Sequence, residues 1–387
     1  MQKQVGIIGA GISGLIACKY IKAKGFHPIV FEATNTIGGV WTKTLNSTIL
    51  QTPKVMYQFS DFPWPSSVTQ DFPDHNQVLN YIKEYAQHFD LIKHIKFNTR
   101  VEGIEYQGPS MEEIQAWHLW NGTGEAFNTK GKWKVSVTDT QKDSNSSIEV
   151  YTLDFVILCM GRFSDVPNIP EFPSNKGPEK SALDTAMECS TVNGVDHPCK
   201  VLYKTEHWIL PDYLPWGIPL AYLYLNRFAE LMVHKPGESL FLSFIATLLA
   251  PLGWVFSKFV ESYIDRKLGL SKVGMVPSHS FHREINNCLI STVPEKFFDK
   301  VEEGSIVLKK APRFWFCKEG VVVDGEASPL KTDLVILATG FKGDIKLRNI
   351  FVSPTFQNLI LGSPNSVLTL YRECIQLKIP QVAVIGF

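Results

Sequence analysis

One stretch near the start constrains the fold more than the rest of the chain. Val5–Gly14 reads V-G-I-I-G-A-G-I-S-G, a short apolar strand running into a glycine loop, with a helical run, Leu15–Lys24, behind it. In a βαβ unit Gly9 makes the tight turn, Gly11 lets the backbone approach a pyrophosphate, and Gly14 lets the helix pack on the strand. The helix N-terminus then aims bare N–H groups at the phosphates. Gly25 closes the helical run, and eighteen residues beyond Gly14 a second strand, His27–Phe31, ends at Glu32, whose carboxylate suits a ribose hydroxyl. An ordinary glycine-rich turn would leave Glu32 unexplained. The expectation is a doubly wound α/β fold that binds a dinucleotide.

With 387 residues, 44% hydrophobic and 20% charged, the chain can build two domains with their own cores, which excludes disorder as its main theme. Lys plus Arg and Asp plus Glu balance at 38 each, so no basic field exists to hold nucleic acid. The seven cysteines form no C-x-x-C pair, which suits a reducing compartment. A first strand at Val5 leaves no room for a secretory leader, so the expected location is cytoplasmic. His75, His207, His279 and His282 follow no ligand spacing and read as structural or surface histidines; no metal is expected. Gly237–Leu240 lacks the second glycine of a nucleophile elbow. Ser239–Ser257 is uncharged and rich in Leu and Phe, and Pro251 and Gly253 interrupt it. A spanning helix needs about 20 apolar residues, so a buried or interfacial helix is the better reading, with contact to the endoplasmic reticulum membrane left open. The aromatics of Trp208–Leu225 (Tyr213, Trp216, Tyr222 and Tyr224) either line a pocket or meet lipid.

Two segments repeat, Asp154-Phe-Val-Ile-Leu-Cys-Met-Gly161 and Asp333-Leu-Val-Ile-Leu-Ala-Thr-Gly340, each reading as a buried strand that ends at a glycine. β-like segments precede both: Trp133–Thr138 and Ile148–Leu153 before the first, Gly320–Asp324 before the second. Such a pair suggests a domain that is left and re-entered. The proline-rich run Asp165–Pro173 reads as an extended linker. The division that follows is a first domain over 1–165, an inserted domain over 166–329, and a return over 330–387. Gln77–Phe89 has helical spacing, and Gly108–Lys132 reads as an excursion of loop and short helix. In the insert, Lys180–Ser190 reads as a helix and Lys200–Thr205 as a strand. No strand and second glycine loop precede that helix, leaving half a mononucleotide fold.

Further motifs carry a resemblance. Gly38-Gly39-Val40-Trp41, Phe59-Ser-Asp-Phe-Pro-Trp-Pro65 and Phe72-Pro-Asp-His75 follow the glycine loop in the order found in flavin-containing monooxygenases of the plant type. Thr205-Glu206-His207-Trp208, Tyr213 and Trp216-Gly217 look like the subgroup that N-hydroxylates pipecolic acid. The resemblance implies an FAD-binding, Rossmann-like three-layer domain with a nested NADPH-binding domain. It places FAD against Gly9, Gly11, Gly14, Glu32, Gly38, Gly39 and Trp41, with Thr339 and Gly340 in the A-T-G hinge. Gln51 aligns with the family's flavin-side asparagine and offers the same amide one methylene further out, and Lys204 is placed for the NADPH 2′-phosphate. The implied reaction is reduction of FAD by NADPH, addition of molecular oxygen to give a C4a-hydroperoxyflavin, and attack by a soft nitrogen or sulfur nucleophile of a small-molecule substrate. Water exclusion by the protein protects that reaction, and no acid–base dyad or metal is required. Two features depart from the family: the second G-x-G-x-x-G loop and the F-x-G-x-x-x-H signature are skipped near Glu179-Lys180, and the chain stops at Gly386-Phe387 where relatives continue, as a splice variant or incomplete gene model would. Two other readings therefore stand beside the monooxygenase: an FAD-binding protein unable to use NADPH, and an NAD(P)H oxidase releasing hydrogen peroxide.

Overall fold

The computed structural model describes residues 3–46, 48–109, 131–142, 147–163, 166–169, 182–235, 237–287, 289–361, 368 and 370–386. Most of the Gly108–Lys132 excursion and of the proline-rich linker, and the Glu179-Lys180 junction, lie outside them.

The N-terminal apolar run forms β1 (Gln4–Ile8), followed by α1 (Ile12–Ala23) and β2 (His27–Phe31). Helix α2 (His75–His88) comes next, closed at its N-terminus by a reciprocal capping box between Asp74 and Gln77. It leads to β3 (Ile95–Lys96), and then β4 (Thr99–Gln107), β5 (Lys132–Asp139), β6 (Glu149–Leu153) and β7 (Phe155–Leu158) follow. Strand β15 (Val382–Val384), from the far end of the chain, completes a five-stranded sheet in the order β15-β7-β1-β2-β3. All its pairings are parallel.

Period-2 alternation sends the two faces of this sheet into different cores. Val5 and Ile7 of β1 join Leu15 and Cys18 of α1 and Val78, Tyr81 and Ile82 of α2. Ile8 points the other way and joins Trp133, Val135 and Val137 of β5 and Leu153 of β6. Strands β4, β5 and β6 form an antiparallel meander, so the first unit has helices on one face of the parallel sheet and the meander on the other. Trp133 is fully buried and anchors the C-terminal strand by donating its indole N–H to the Pro380 carbonyl at 3.1 Å.

The intervening chain builds a second core. Helix α3 (Ala182–Asn193) precedes β8 (Cys199–Tyr203), which pairs in parallel with β11 (Ile306–Lys310). Strand β9 (Ile209–Leu210) pairs with β10 (Ser291–Thr292), on either side of the long helix α4 (Leu240–Leu268) and the short helix α5 (Phe281–Asn286). Pro251 does not interrupt α4, which runs 29 residues from a Ser239 cap to a left-handed Gly269. Gly253 faces the His282 ring, so it contributes close packing and does not break the helix. The buried face of α4 lies in its second half, at Val260, Glu261, Tyr263 and Ile264, while Leu240, Phe241, Phe244, Leu248 and Trp254 of its first half are exposed.

The repeat read in the sequence divides in the structure. Its first copy is β7, buried in the sheet. Its second copy forms no strand: Asp333–Gly340 is irregular, with Leu334 75% and Ile336 52% exposed. A parallel strand needs a neighbour for its N–H and C=O groups. Strand β8 pairs with β11, the preceding strands β12 (Phe314–Cys317), β13 (Gly320–Val323) and β14 (Leu330–Lys331) form their own antiparallel sheet, and among the described residues none pairs with 333–338.

Candidate active site

The glycine loop is packed so that each glycine has a separate reason to be one. A Cβ on Gly14 would lie 1.9 Å from the Gly9 carbonyl oxygen, so α1 and β1 could not approach as they do. Gly9 has φ +103° and turns against the Cys159 carbonyl. At Gly11 a Cβ would meet nothing nearer than the Gly39 Cα at 3.6 Å; the space beside it is open. Gly11 also caps α1 without a side chain, and the first turn carries no acid, so neither competes for the N-terminal N–H groups. Helix α1 thus offers donors to an external anion.

Glu32 stands directly after β2. One carboxylate oxygen accepts the Ala10 N–H at 2.7 Å, and the other accepts the Thr34 N–H at 2.9 Å and the Thr34 hydroxyl at 2.8 Å. A carboxylate has about four acceptor positions, so roughly one is left for a ribose hydroxyl. Gly38 donates to the Ala10 carbonyl at 3.1 Å, and Gly39, at φ +58°, lies against Gly11. The second glycine pair therefore forms the other wall of the cradle. Trp41, in the short helical turn Gly39–Thr42, donates its indole N–H to the Tyr57 hydroxyl at 2.9 Å, which fixes its ring. A pyrophosphate fits this arrangement because backbone donors face a space that only a residue without Cβ leaves open. The buried Cys18 and Cys159 thiols beneath the loop are pushed up to about 12 by burial and are inert packing.

Gln51 is exposed and lines a cavity of about 240 Å³ with Thr52, Pro53, Tyr213, Leu220, Ala221, Leu225, Ile285 and Ile290. The cavity lies where the two units meet, because Phe72 of the first stacks on Tyr213 of the second at 5.4 Å. Burial pushes the Tyr213 hydroxyl above the ordinary tyrosine range; Thr292 is near it, but no hydrogen bond of ordinary geometry forms. Thus Tyr213 is a pocket residue, whereas Tyr222 is 72% exposed.

The structure does not bring every expected residue to the cradle. Thr339 donates its hydroxyl to the Asn168 carbonyl, and Asn168 returns a bond from Nδ2 to the Thr339 carbonyl at 3.1 Å. Asn168 N–H also bonds the Gly340 carbonyl at 2.8 Å. These residues form the crossing where the chain leaves and re-enters the first unit. Lys204 directly follows β8, half-buried, in the second unit.

The reading of His207 and His279 as unpaired structural histidines is incomplete. His207 Nδ1 lies 2.6 Å from one oxygen of Glu284, and His279 Nε2 bonds the other. Glu284 is fully buried. Burial alone would push its carboxyl up, but the two imidazoles outweigh that and hold it below the usual carboxylate range. Sequence spacing hides this group because its members come from the segment after β8, the loop before α5, and α5 itself.

A parallel sheet with a glycine loop and a paired carboxylate, joined to a second α/β unit through a double crossing, is the architecture of a Rossmann-like dinucleotide-binding protein. A family model described as "Flavin-binding monooxygenase-like" matches residues 2–178. The chain is 35% identical over 427 residues to "Probable flavin-containing monooxygenase 1" of Arabidopsis thaliana, covering 99% of this chain and 78% of that one. It is 26% identical to "Flavin-containing monooxygenase 5" of Homo sapiens, covering 100% and 69%. Among solved structures, an open form of cyclohexanone monooxygenase superposes with TM-score 0.62 at 15% identity over 99% of this chain and 83% of that one. A complex titled OTEMO with FAD and NADP superposes with TM-score 0.55 at 16% identity, covering 89% and 73%. The chain belongs to the flavin-containing monooxygenase family, whose members are FAD- and NADPH-dependent monooxygenases acting on small molecules with oxygen.

Proposed function

We propose that this chain oxygenates a small molecule at a soft nitrogen or sulfur, with FAD in the Gly9–Gly14 cradle and substrate in the cavity between Gln51 and Tyr213. The observation that carries it is the cradle: an uncapped α1 facing open space at Gly11, walled by Gly39, with Glu32 held beside it. Bound FAD supplies the redox and oxygen chemistry. Gly9, Gly11, Gly14, Gly38 and Gly39 shape its phosphate site, Glu32 holds the ribose and Trp41 closes the wall. Gln51 offers an amide at the reacting end of the cavity, and Tyr213 with the aliphatic lining excludes water. Lys204 holds the NADPH phosphate beside β8. The described lining contains no cation, which favours amines and thioethers over an amino acid such as pipecolate. The return of β15 to the first sheet supports the division at 1–165, 166–329 and 330–387, with the last boundary moved past Lys331 because Leu330 and Lys331 pair with Val321 and Gly320 of the insert. The apolar first half of α4 makes the chain a peripheral protein on the cytoplasmic face of the endoplasmic reticulum, supported by its exposed Leu, Phe and Trp side chains.

The alternative that NADPH cannot be used has its own support. The sequence holds one G-x-G-x-x-G loop, and β8 pairs with β11 while Asp333–Gly340 stays outside any sheet. The alignment to the Arabidopsis relative runs over 427 residues against 387 here, so roughly 40 of its positions face gaps.

Anaerobic titration of the FAD-loaded protein with NADPH, read at the oxidised flavin band, decides between them. Bleaching followed by oxygenated dimethylaniline on readmission of oxygen supports the monooxygenase. Bleaching with only hydrogen peroxide identifies an oxidase, and no bleaching an impaired chain. Faster turnover of pipecolate than of dimethylaniline would refute the substrate assignment.

A further inference from the structure

The Glu284 cluster takes no part in the reading above. One donor atom from each of His207, His279 and Glu284 lies within 4.8 Å of the others, and His207 Nδ1 and His279 Nε2 are the atoms that face the Glu284 carboxylate. Each is held from behind. Thr205 Oγ1 lies 3.0 Å from His207 Nε2, Trp208 donates its indole N–H to the His279 carbonyl at 2.8 Å, and Glu284 is carried by α5, whose N-cap Ser280 directly follows His279. Glu284 is fully buried, while the His207 side chain is 43% exposed and opens the group to solvent on one side.

We propose that His207, His279 and Glu284 bind one divalent transition-metal ion, zinc by donor type, as a structural pin between the segment after β8 and α5. Two imidazoles and one carboxylate, with a fourth position open to water, form a donor set that zinc accepts. A tetrahedral zinc ion with ligand bonds of about 2.0–2.2 Å holds its donor atoms roughly 3.3 Å apart, inside the observed span. Binding needs neutral rings with free lone pairs at His207 Nδ1 and His279 Nε2. The His207 proton then rests on Nε2, where Thr205 Oγ1 accepts it, so the threonine fixes the ligating tautomer. Ile285, the neighbour of Glu284, lines the cavity, so the ion would stiffen one cavity wall.

The test uses the full chain with FAD bound, stripped with a chelator and titrated with zinc sulfate against a chromophoric competitor, with bound zinc counted by mass spectrometry. One zinc per chain is expected, with affinity about 100-fold or more weaker in Glu284→Gln and in His207→Ala. His207 is partly exposed, so His207→Ala serves as the variant least able to disturb the fold, checked by its FAD content. Cobalt added to the wild type should give the visible bands of a tetrahedral site. Zinc uptake no greater than the chelator background, or full retention by both variants, overturns the proposal and leaves the trio as a hydrogen-bonded cluster.

Discussion

Replacing two glycines of the same loop by alanine should separate folding from cofactor binding. At Gly14 the new methyl would lie 1.9 Å from the Gly9 carbonyl oxygen and 3.6 Å from the Cys159 Cβ, both in the interior where α1 meets β1. Backbone cannot yield as a side-chain tip does, so Gly14→Ala should lower stability by about 1–3 kcal/mol or more, the usual range for overpacking. At Gly11 the backbone is φ −72°, ψ −175°, a conformation alanine adopts freely, and the methyl meets only Gly39 Cα at ordinary contact distance. Gly11→Ala should leave the FAD-free protein unchanged or about 0.4–1 kcal/mol more stable, by restricting the unfolded chain. Its methyl fills the space the pyrophosphate must enter. Losing about two charge-assisted hydrogen bonds, at about 1.5–3 kcal/mol each, predicts roughly 100- to 20,000-fold weaker FAD binding. Urea melts of both FAD-free variants, with flavin fluorescence titration of Gly11→Ala, test this. If Gly11→Ala binds FAD as tightly as wild type, the cradle assignment fails; if it unfolds as readily as Gly14→Ala, the packing argument fails.

Asp154 accepts the Gln4 N–H at 2.8 Å and lies 3.4 Å from both Lys3 and Lys132. Burial pushes its carboxyl up, but these partners outweigh burial and hold it below the usual range. A depressed folded pKa gives stability that is complete above the unfolded value and lost as pH falls through the folded one. Asp154→Asn should therefore flatten the loss of stability below about pH 4, measured by urea melts, and an unchanged slope would count against the reading. Leu334→Lys with Ile336→Lys should raise the concentration at which the protein stays unaggregated, because both side chains are exposed on a β-prone segment with no strand partner among the described residues. Light scattering reads this, and no gain would mean another surface limits solubility. Phe244→Glu with Leu248→Glu should remove most co-sedimentation with phosphatidylcholine–phosphatidylserine vesicles, since each apolar side chain contributes about 1.5–3 kcal/mol when withdrawn from water. Equal sedimentation of wild type and variant would refute the membrane contact.

The local rules held where an element carries its own partner. Strand, glycine loop, helix and Glu32 are contiguous in sequence, so their order declared β1, α1 and β2. The helical spacing of Gln77–Phe89 and the β-like runs at Trp133–Thr138 and Ile148–Leu153 were legible for the same reason. They failed where a partner is distant. The repeat at Asp154 and Asp333 has nearly the same residues twice, yet only the first enters a sheet, because β1 and β15 flank it and nothing described flanks the second. Pro251 and Gly253 read as interruptions of the apolar run, but α4 continues through both from Leu240 to Leu268.

The sequence by itself determined the glycine loop between β1 and α1, since glycine spacing acts through backbone geometry within one turn of chain. Only the tertiary structure decided what lies between segments far apart in sequence. It made a cavity from Gln51 and Tyr213, committed Thr339 to Asn168 at the crossing, and gathered His207, His279 and Glu284 around one buried charge. Long-range pairing depends on which surfaces meet when apolar faces are buried. Residue spacing does not record that outcome.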